Sequence, residues 1–274
     1  MPLITRQLLR LAVAAMLCTS CLLSQQPSTS EPQLSTPSAS QLLANSLSAM
    51  GGPASTLHDI TLQGTVEHIA GSTDETGSIH LSAIKDGSSK VDVTLPSGST
   101  SESVIWSIST RTGQKRDAKD QIHHTASHNL MTDAAWFSPA LLVQHAAFYA
   151  TLGEVVSSQT TGSNGESAPQ LTWSWHLQNV KAGSDQEIQR LSRMELVLDP
   201  NTSLPRTLYY ETHSDTNSSI NIRIEVRYSD YQASNGILVP MHLERYVNGT
   251  LLYDIHISSA ELNSGLDASQ FQLQ

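Results

Sequence analysis

The sequence predicts a mainly β protein with some α: one large antiparallel sheet of about ten or eleven strands, curled around a helical plug. Three observations carry that expectation. From residue 57 onward, apolar residues alternate with polar ones over most of the chain, the period of a half-buried strand. The element order is helix, strands, helical insert, strands, which is not the βαβ alternation of a parallel sheet. Asn235-Gly236 and Asn248-Gly249 each separate two alternating runs, where such pairs mark tight hairpins.

Residues 1–20 read as a signal peptide. Arg6 and Arg10 form a basic start, Leu11 to Leu17 an apolar stretch too short to span a bilayer, and Thr19 and Ser20 a small-residue cleavage region. Cys18-Thr19-Ser20-Cys21 has C-x-x-C spacing, but it lies at the exit of the apolar stretch with no βα unit around it. A bacterial lipoprotein signal accounts for it better, with Cys21 as the lipidated residue, although Cys18 stands where such signals usually have Leu. Ordinary signal-peptidase cleavage nearby is the alternative. Residues 21–40 then form a Ser/Pro-rich tether whose composition cannot bury enough surface to fold. The chain is expected to be exported: periplasmic, or anchored in the envelope through lipid on Cys21.

The folded domain is expected over 41–274. Leu42, Leu43, Leu47 and Met50 share one helical face, and Gly51 supplies the stop. Strands follow around Ile60–Val66, Ile79–Ala83, Val91–Leu95 and Val104–Ile108, broken at Gly71, Gly77, Gly87 and Pro96–Gly98. Ser138-Pro139 opens a second helix running to Leu152. Strands resume over 171–178, 192–199 and around Leu208–Tyr210. A meander of 219–231, 237–247 and 250–262 closes the chain.

Composition narrows the function. With 15 Lys+Arg against 25 Asp+Glu, the net charge of −10 offers no field for a phosphate backbone, so no nucleic acid partner is expected. Arg111, Lys115, Arg116 and Lys119 make the one basic island, read as a solvated hairpin tip. No nucleophile elbow, phosphate loop or S-x-x-K occurs, so no catalytic residue and no cofactor is assigned. His123, His124 and His128 cluster, but no ligand stands at a zinc spacing, and no metal site is expected there or elsewhere. A metal-dependent hydrolase using these 123–128 histidines is the enzymatic alternative. The aromatic residues are more telling. Trp106, Trp173 and Trp175, with Ile222 and Ile224, are the candidate lining of an apolar cavity, and Trp136 and Phe137 its lid.

The C-terminal segments Arg227-Tyr228-Ser229-Asp230-Tyr231 and Asn235-Gly236-Ile237-Leu238-Val239-Pro240 resemble the end of the periplasmic lipoprotein-carrier (LolA/LolB-like) fold. The closing Leu262-Asn263-Ser264-Gly265-Leu266-Asp267 with Phe271 and the opening Ala49-Met50-Gly51-Gly52 are similar to it as well. The resemblance implies an unclosed half-barrel with helices as plug or lid over an apolar cavity, and a non-enzymatic protein of the cell envelope. The expected function is binding of lipid or lipoprotein acyl chains, as carrier, chaperone or sensor, with an envelope partner unspecified. The alternative is a structural or regulatory protein with the same fold and no cargo.

Overall fold

The computed structural model describes residues 37–71, 73–107, 110–151, 155–161, 165–176 and 182–274. The expected signal peptide, Cys21 and the tether up to residue 36 lie outside them.

The chain enters through helix α1 (Ala39–Ala49), two residues earlier than the apolar pattern indicated. Ser38 explains the earlier start: its hydroxyl accepts from the Gln41 N–H, and the Gln41 side chain reaches back to the Ser38 N–H, a capping box. Gly51 follows at φ +106°, so close to the chain that a Cβ would stand 2.1 Å from the Gly236 carbonyl oxygen. The Met50 carbonyl accepts from Leu238 N at 2.7 Å, tying the end of α1 to the C-terminal part of the chain.

The first run of strands is β1 (Asp59–Ala70), β2 (Thr73–Ile84), β3 (Ser89–Leu95), β4 (Gly98–Ser107), β5 (Thr110–Arg116) and β6 (Ile122–His124). Helix α2 (Pro139–Thr151) follows, then β7 (Val155–Thr161) and β8 (Ser167–Trp173). Helix α3 (Ala182–Ser192) precedes β9 (Met194–Leu198), β10 (Pro205–Ser214), β11 (Asn217–Ser234), β12 (Ile237–Val247) and β13 (Thr250–Leu262). All thirteen strands join one sheet in the order β6-β5-β4-β3-β2-β1-β13-β12-β11-β10-β9-β8-β7, with the paired neighbours antiparallel. The architecture is the mainly β, unclosed antiparallel sheet expected, with thirteen strands among the described residues rather than ten or eleven. The additional strands come from β5–β6, which takes up the basic island and His123–His124, and from the polar edge strand β7. The strand expected over 171–178 ends at Trp173, and α3, not foreseen, follows.

Among the described residues only the β1–β13 pairing joins strands distant in sequence, and its joint is well secured. Asp59 is buried, and its carboxylate accepts from Ser264 N at 2.7 Å, Ser264 Oγ at 2.9 Å and Gly265 N at 3.0 Å. The closing Asn263-Ser264-Gly265 motif is therefore a clamp on the first strand. A bulge at Gln63/Gly64 lets β1 bend against β13, and a Cβ on Gly64 would fall 2.1 Å from the His256 carbonyl oxygen.

The inward residues of the strands form one continuous core with the helices. Ile60, Leu62, Leu81, Leu196, Leu208, Val226 and Ile255 meet Leu42 and Leu43 of α1 and Leu141, Leu142 and Val143 of α2. Helix α1 and the chain between the edge strands β6 and β7 thus form the plug that occupies the concave face. Trp136 and Phe137, expected as a lid, are 7% and 0% exposed and belong to this core. The turn before α2 dips into the concavity, where the Trp136 carbonyl accepts from the buried Tyr228 hydroxyl.

Candidate functional site

Curling brings the two ends of the sheet together, and a cleft of ≈ 670 Å³ opens where they meet beside α2. Trp106 lies near one end, on β4, and Trp175 just past β8 near the other. Their rings meet edge to face, 5.8 Å between centroids. Each backbone is pinned by a serine: Ser88 Oγ accepts from Trp106 N at 2.8 Å, and Ser192 Oγ at the end of α3 accepts from Trp175 N at 2.8 Å. Trp173, Met194, Met131 and Leu47 extend the apolar wall, and Ala147, Phe148 and Tyr149 of α2 form its rim. Phe148 is 64% exposed, a large apolar side chain left open to solvent.

Arg111 is cross-strand neighbour to Trp106, so both stand on the same face. Its guanidinium carbon lies 4.3 Å from the Trp106 ring centre and 5.0 Å from that of Trp175, two cation–π contacts. It also donates to the carbonyls of Leu130 and of Thr132, the latter at 2.9 Å. Burial pushes its pKa down, with Asp133 acting against that. Arg111 is therefore no part of a solvated hairpin tip: the curl carries β5 over the aromatic wall.

Asp133 and His145 close the polar side of the cleft. His145 Nδ1 donates to Asp133 Oδ2, its Nε2 donates to the Lys85 carbonyl at 2.7 Å, and Asp133 Oδ1 accepts from Ala135 N at 2.9 Å. Burial alone would favour both neutral forms. The charge of each partner and the hydrogen bond between them outweigh it, lowering the pKa of Asp133 and raising that of His145. With both ring nitrogens engaged, His145 has none free to activate a nucleophile.

Of the residues singled out in the sequence, Trp106, Trp173 and Trp175 come together in the cleft. Ile222 and Ile224 do not line it: Ile224 is core, and Ile222 packs against that core. Arg111, Asp133, His145, Met131 and Phe148 were not anticipated as lining. His145 and Phe148 fall within the helical spacing of α2, which does not tell core from cleft lining, and a buried charge between tryptophans leaves no periodic trace in a sequence.

The 123–128 histidines do not gather. His123 pairs with Asp117 at 3.2 Å, His124 is exposed on β6, and His128 approaches the Ser214 carbonyl at 3.0 Å. A different trio does gather among the described residues: the ligand atoms of His242, Asp254 and His256 lie within 4.8 Å of one another. Hairpin register alone unites them.

Fold and cleft together define a class of protein: an open antiparallel sheet curled about a helical plug, with a tryptophan-lined apolar cleft where its ends meet. No protein-family model and no curated protein matches the sequence. Among solved structures the chain is similar to a domain named for outer membrane lipoprotein sorting from Vibrio parahaemolyticus. That likeness has a TM-score of 0.47 and 10% identity, over 84% of this chain and 94% of that one. It is also similar to a DUF1329 family protein from Desulfovibrio piger (TM-score 0.47, 12% identity, 85% and 96% covered). A LolA superfamily protein from Nitrosomonas europaea gives a TM-score of 0.46 at 10% identity, with 86% and 98% covered.

Proposed function

We propose that this chain is an exported protein of the bacterial envelope that binds lipid or lipoprotein acyl chains in the cleft between the sheet ends. The observation that carries the reading is the cleft itself. Its ≈ 670 Å³ falls within the ~300–1,000 Å³ of ordinary small-molecule sites. Most of its exposed lining is apolar, with Trp106, Trp173, Trp175, Met131 and Met194 suited to an alkyl chain, and Arg111, Asp133, His145, Lys85 and Asp86 are among the polar residues that border it. The likeness of the chain ends to lipoprotein carriers supports export and an acylated cargo. The same reading is of a non-enzymatic protein, and it is in keeping with His145, the one histidine lining the cleft, being held by Asp133 and the Lys85 carbonyl.

Titration with palmitate, followed by tryptophan fluorescence, tests it. Saturable quenching or enhancement is expected, because Trp106 and Trp175 flank the site. Trp175→Ala removes an aromatic wall that contributes about 1.5–3 kcal/mol when buried, and affinity should fall tenfold or more. Ala147→Trp, which fills the cleft from the α2 side, should also abolish binding. Absence of saturation, or unchanged affinity in both variants, would overturn the reading. The cargo-free structural alternative has one observation in its favour, the dense insertion of α1 and α2 into the concave face, and that outcome would leave it standing.

A further inference from the structure

The outer face of the sheet carries a cluster that the cleft does not use. Leu243 of β12 and Ile255 of β13 are fully buried, so by alternation His242, Glu244, Asp254 and His256 face outward. The hairpin sets His242 directly opposite His256 and Glu244 opposite Asp254. Asn248 and Gly249, at φ +50° and +81°, form the two-residue turn that holds this register.

The side chains use that register in a specific way. The two imidazole rings stack, 4.5 Å between centroids and 2° from parallel. The same nitrogen of each turns toward one carboxylate oxygen: His242 Nε2 is 2.7 Å and His256 Nε2 is 3.3 Å from Asp254 Oδ1. Ligand atoms bound at about 2.0–2.2 Å to one ion stand roughly 3–3.5 Å apart, which the His256–Asp254 separation already fits; an ion shared by both imidazoles lies in the plane of each ring, so binding tilts the two rings out of their parallel stack. On the far side of His242, Nδ1 lies 3.0 Å from Ser229 Oγ. An Nδ1–H donated there fixes the tautomer that leaves the Nε2 lone pair for a metal. Glu67 faces Asp254 across the β1–β13 ladder and adds a carboxylate to the same face.

We propose that His242, Asp254 and His256 form a binding site for a divalent transition-metal ion of the Zn²⁺ class. Two imidazoles and one carboxylate suit Zn²⁺, Ni²⁺ or Cu²⁺ rather than Ca²⁺ or Mg²⁺, which take oxygen ligands. The ion bridges β12 and β13 on the convex face. Its remaining coordination positions face solvent, available to water or to a ligand atom from outside. The site is independent of the acyl-binding cleft.

Calorimetric titration of the full chain, free of any histidine tag and stripped with chelator, with Zn²⁺ near neutral pH tests the assignment. One equivalent should bind saturably. His256→Gln alters a side chain that is 64% exposed and should fold normally while losing most of the affinity. Ser229→Ala should weaken binding about 10–100-fold by freeing the His242 ring. Replacing His123 and His124 by Gln should change nothing. Co²⁺ in place of Zn²⁺ should give visible absorption that His256→Gln removes. No bound equivalent, wild-type affinity in His256→Gln, or loss of binding on replacing His123 and His124 would each overturn the proposal.

Discussion

Asp133→Ala tests how the plug is held against the cleft. The substitution removes the charge-assisted bond to His145, worth about 1.5–3 kcal/mol, and the bond from Ala135 N, worth about 1 kcal/mol. It also removes the nearer-acting of the two carboxylates beside the Arg111 guanidinium, leaving Asp86. The expected loss is about 3–4 kcal/mol near pH 6, within the ~3–5 kcal/mol for removing one partner of a buried pair. At a urea m-value of about 3 kcal/mol/M, the unfolding midpoint should drop by about 1 M. The pH dependence follows from the two shifts. Asp133 is lowered in the folded state, so its contribution is present above the unfolded carboxyl pKa of about 3.9 and fades as pH falls through the folded value. His145 is raised, so its contribution is complete below the unfolded imidazole pKa of about 6.5 and fades as pH rises through the folded value. The pair is therefore worth most between about pH 4 and pH 6.5. Urea unfolding followed by tryptophan fluorescence, at about pH 6 and about pH 9, should show the wild-type advantage shrinking at the higher pH. A difference under about 1 kcal/mol at pH 6, or one that grows with pH, refutes the account of this pair.

Two further perturbations bear on the sheet and on the anchor. Gly64→Val drives a side chain into the His256 carbonyl at the β1–β13 bulge and should cost about 2–3 kcal/mol in thermal melts. Gly183→Ala, in α3 with no atom within 4 Å of the new Cβ, should instead stabilise by about 0.5–1 kcal/mol. Cys21→Ser should remove a diacyl or triacyl mass from protein isolated from membranes, and a wild-type mature N-terminus at any other residue would rule out lipidation at Cys21.

Much of the fold was legible because local chemistry and tertiary role agree. The bounds 237–247 and 250–262 were readable from the two Asn-Gly pairs, whose residues all take positive φ in the turns. Helix α2 starts at Pro139, the residue that Ser138-Pro139 indicated. Strands β6 and β7 were not legible: as edge strands with little buried surface they carry His, Ser, Thr and Gln, and no alternation. Helix α3 was hidden because Ile188 and Leu191 are nearly its only large apolar residues, too few to show a helical period.

The sequence by itself determined the class of architecture, because period-two burial, hairpin turns and a proline-started helix are written within a few residues of one another. Only the tertiary structure decided what the side chains meet. Trp106 and Trp175 come from opposite ends of the sheet, and it is the curl that brings them together with Arg111 between. Trp136 and Phe137 looked like a lid because the pattern shows that a residue is apolar but not which side of a turn it faces. His242 and His256 are 14 positions apart, and the ladder makes them direct neighbours. Such meetings depend on strand register and sheet curvature summed over many residues, and no single segment of the chain contains that sum.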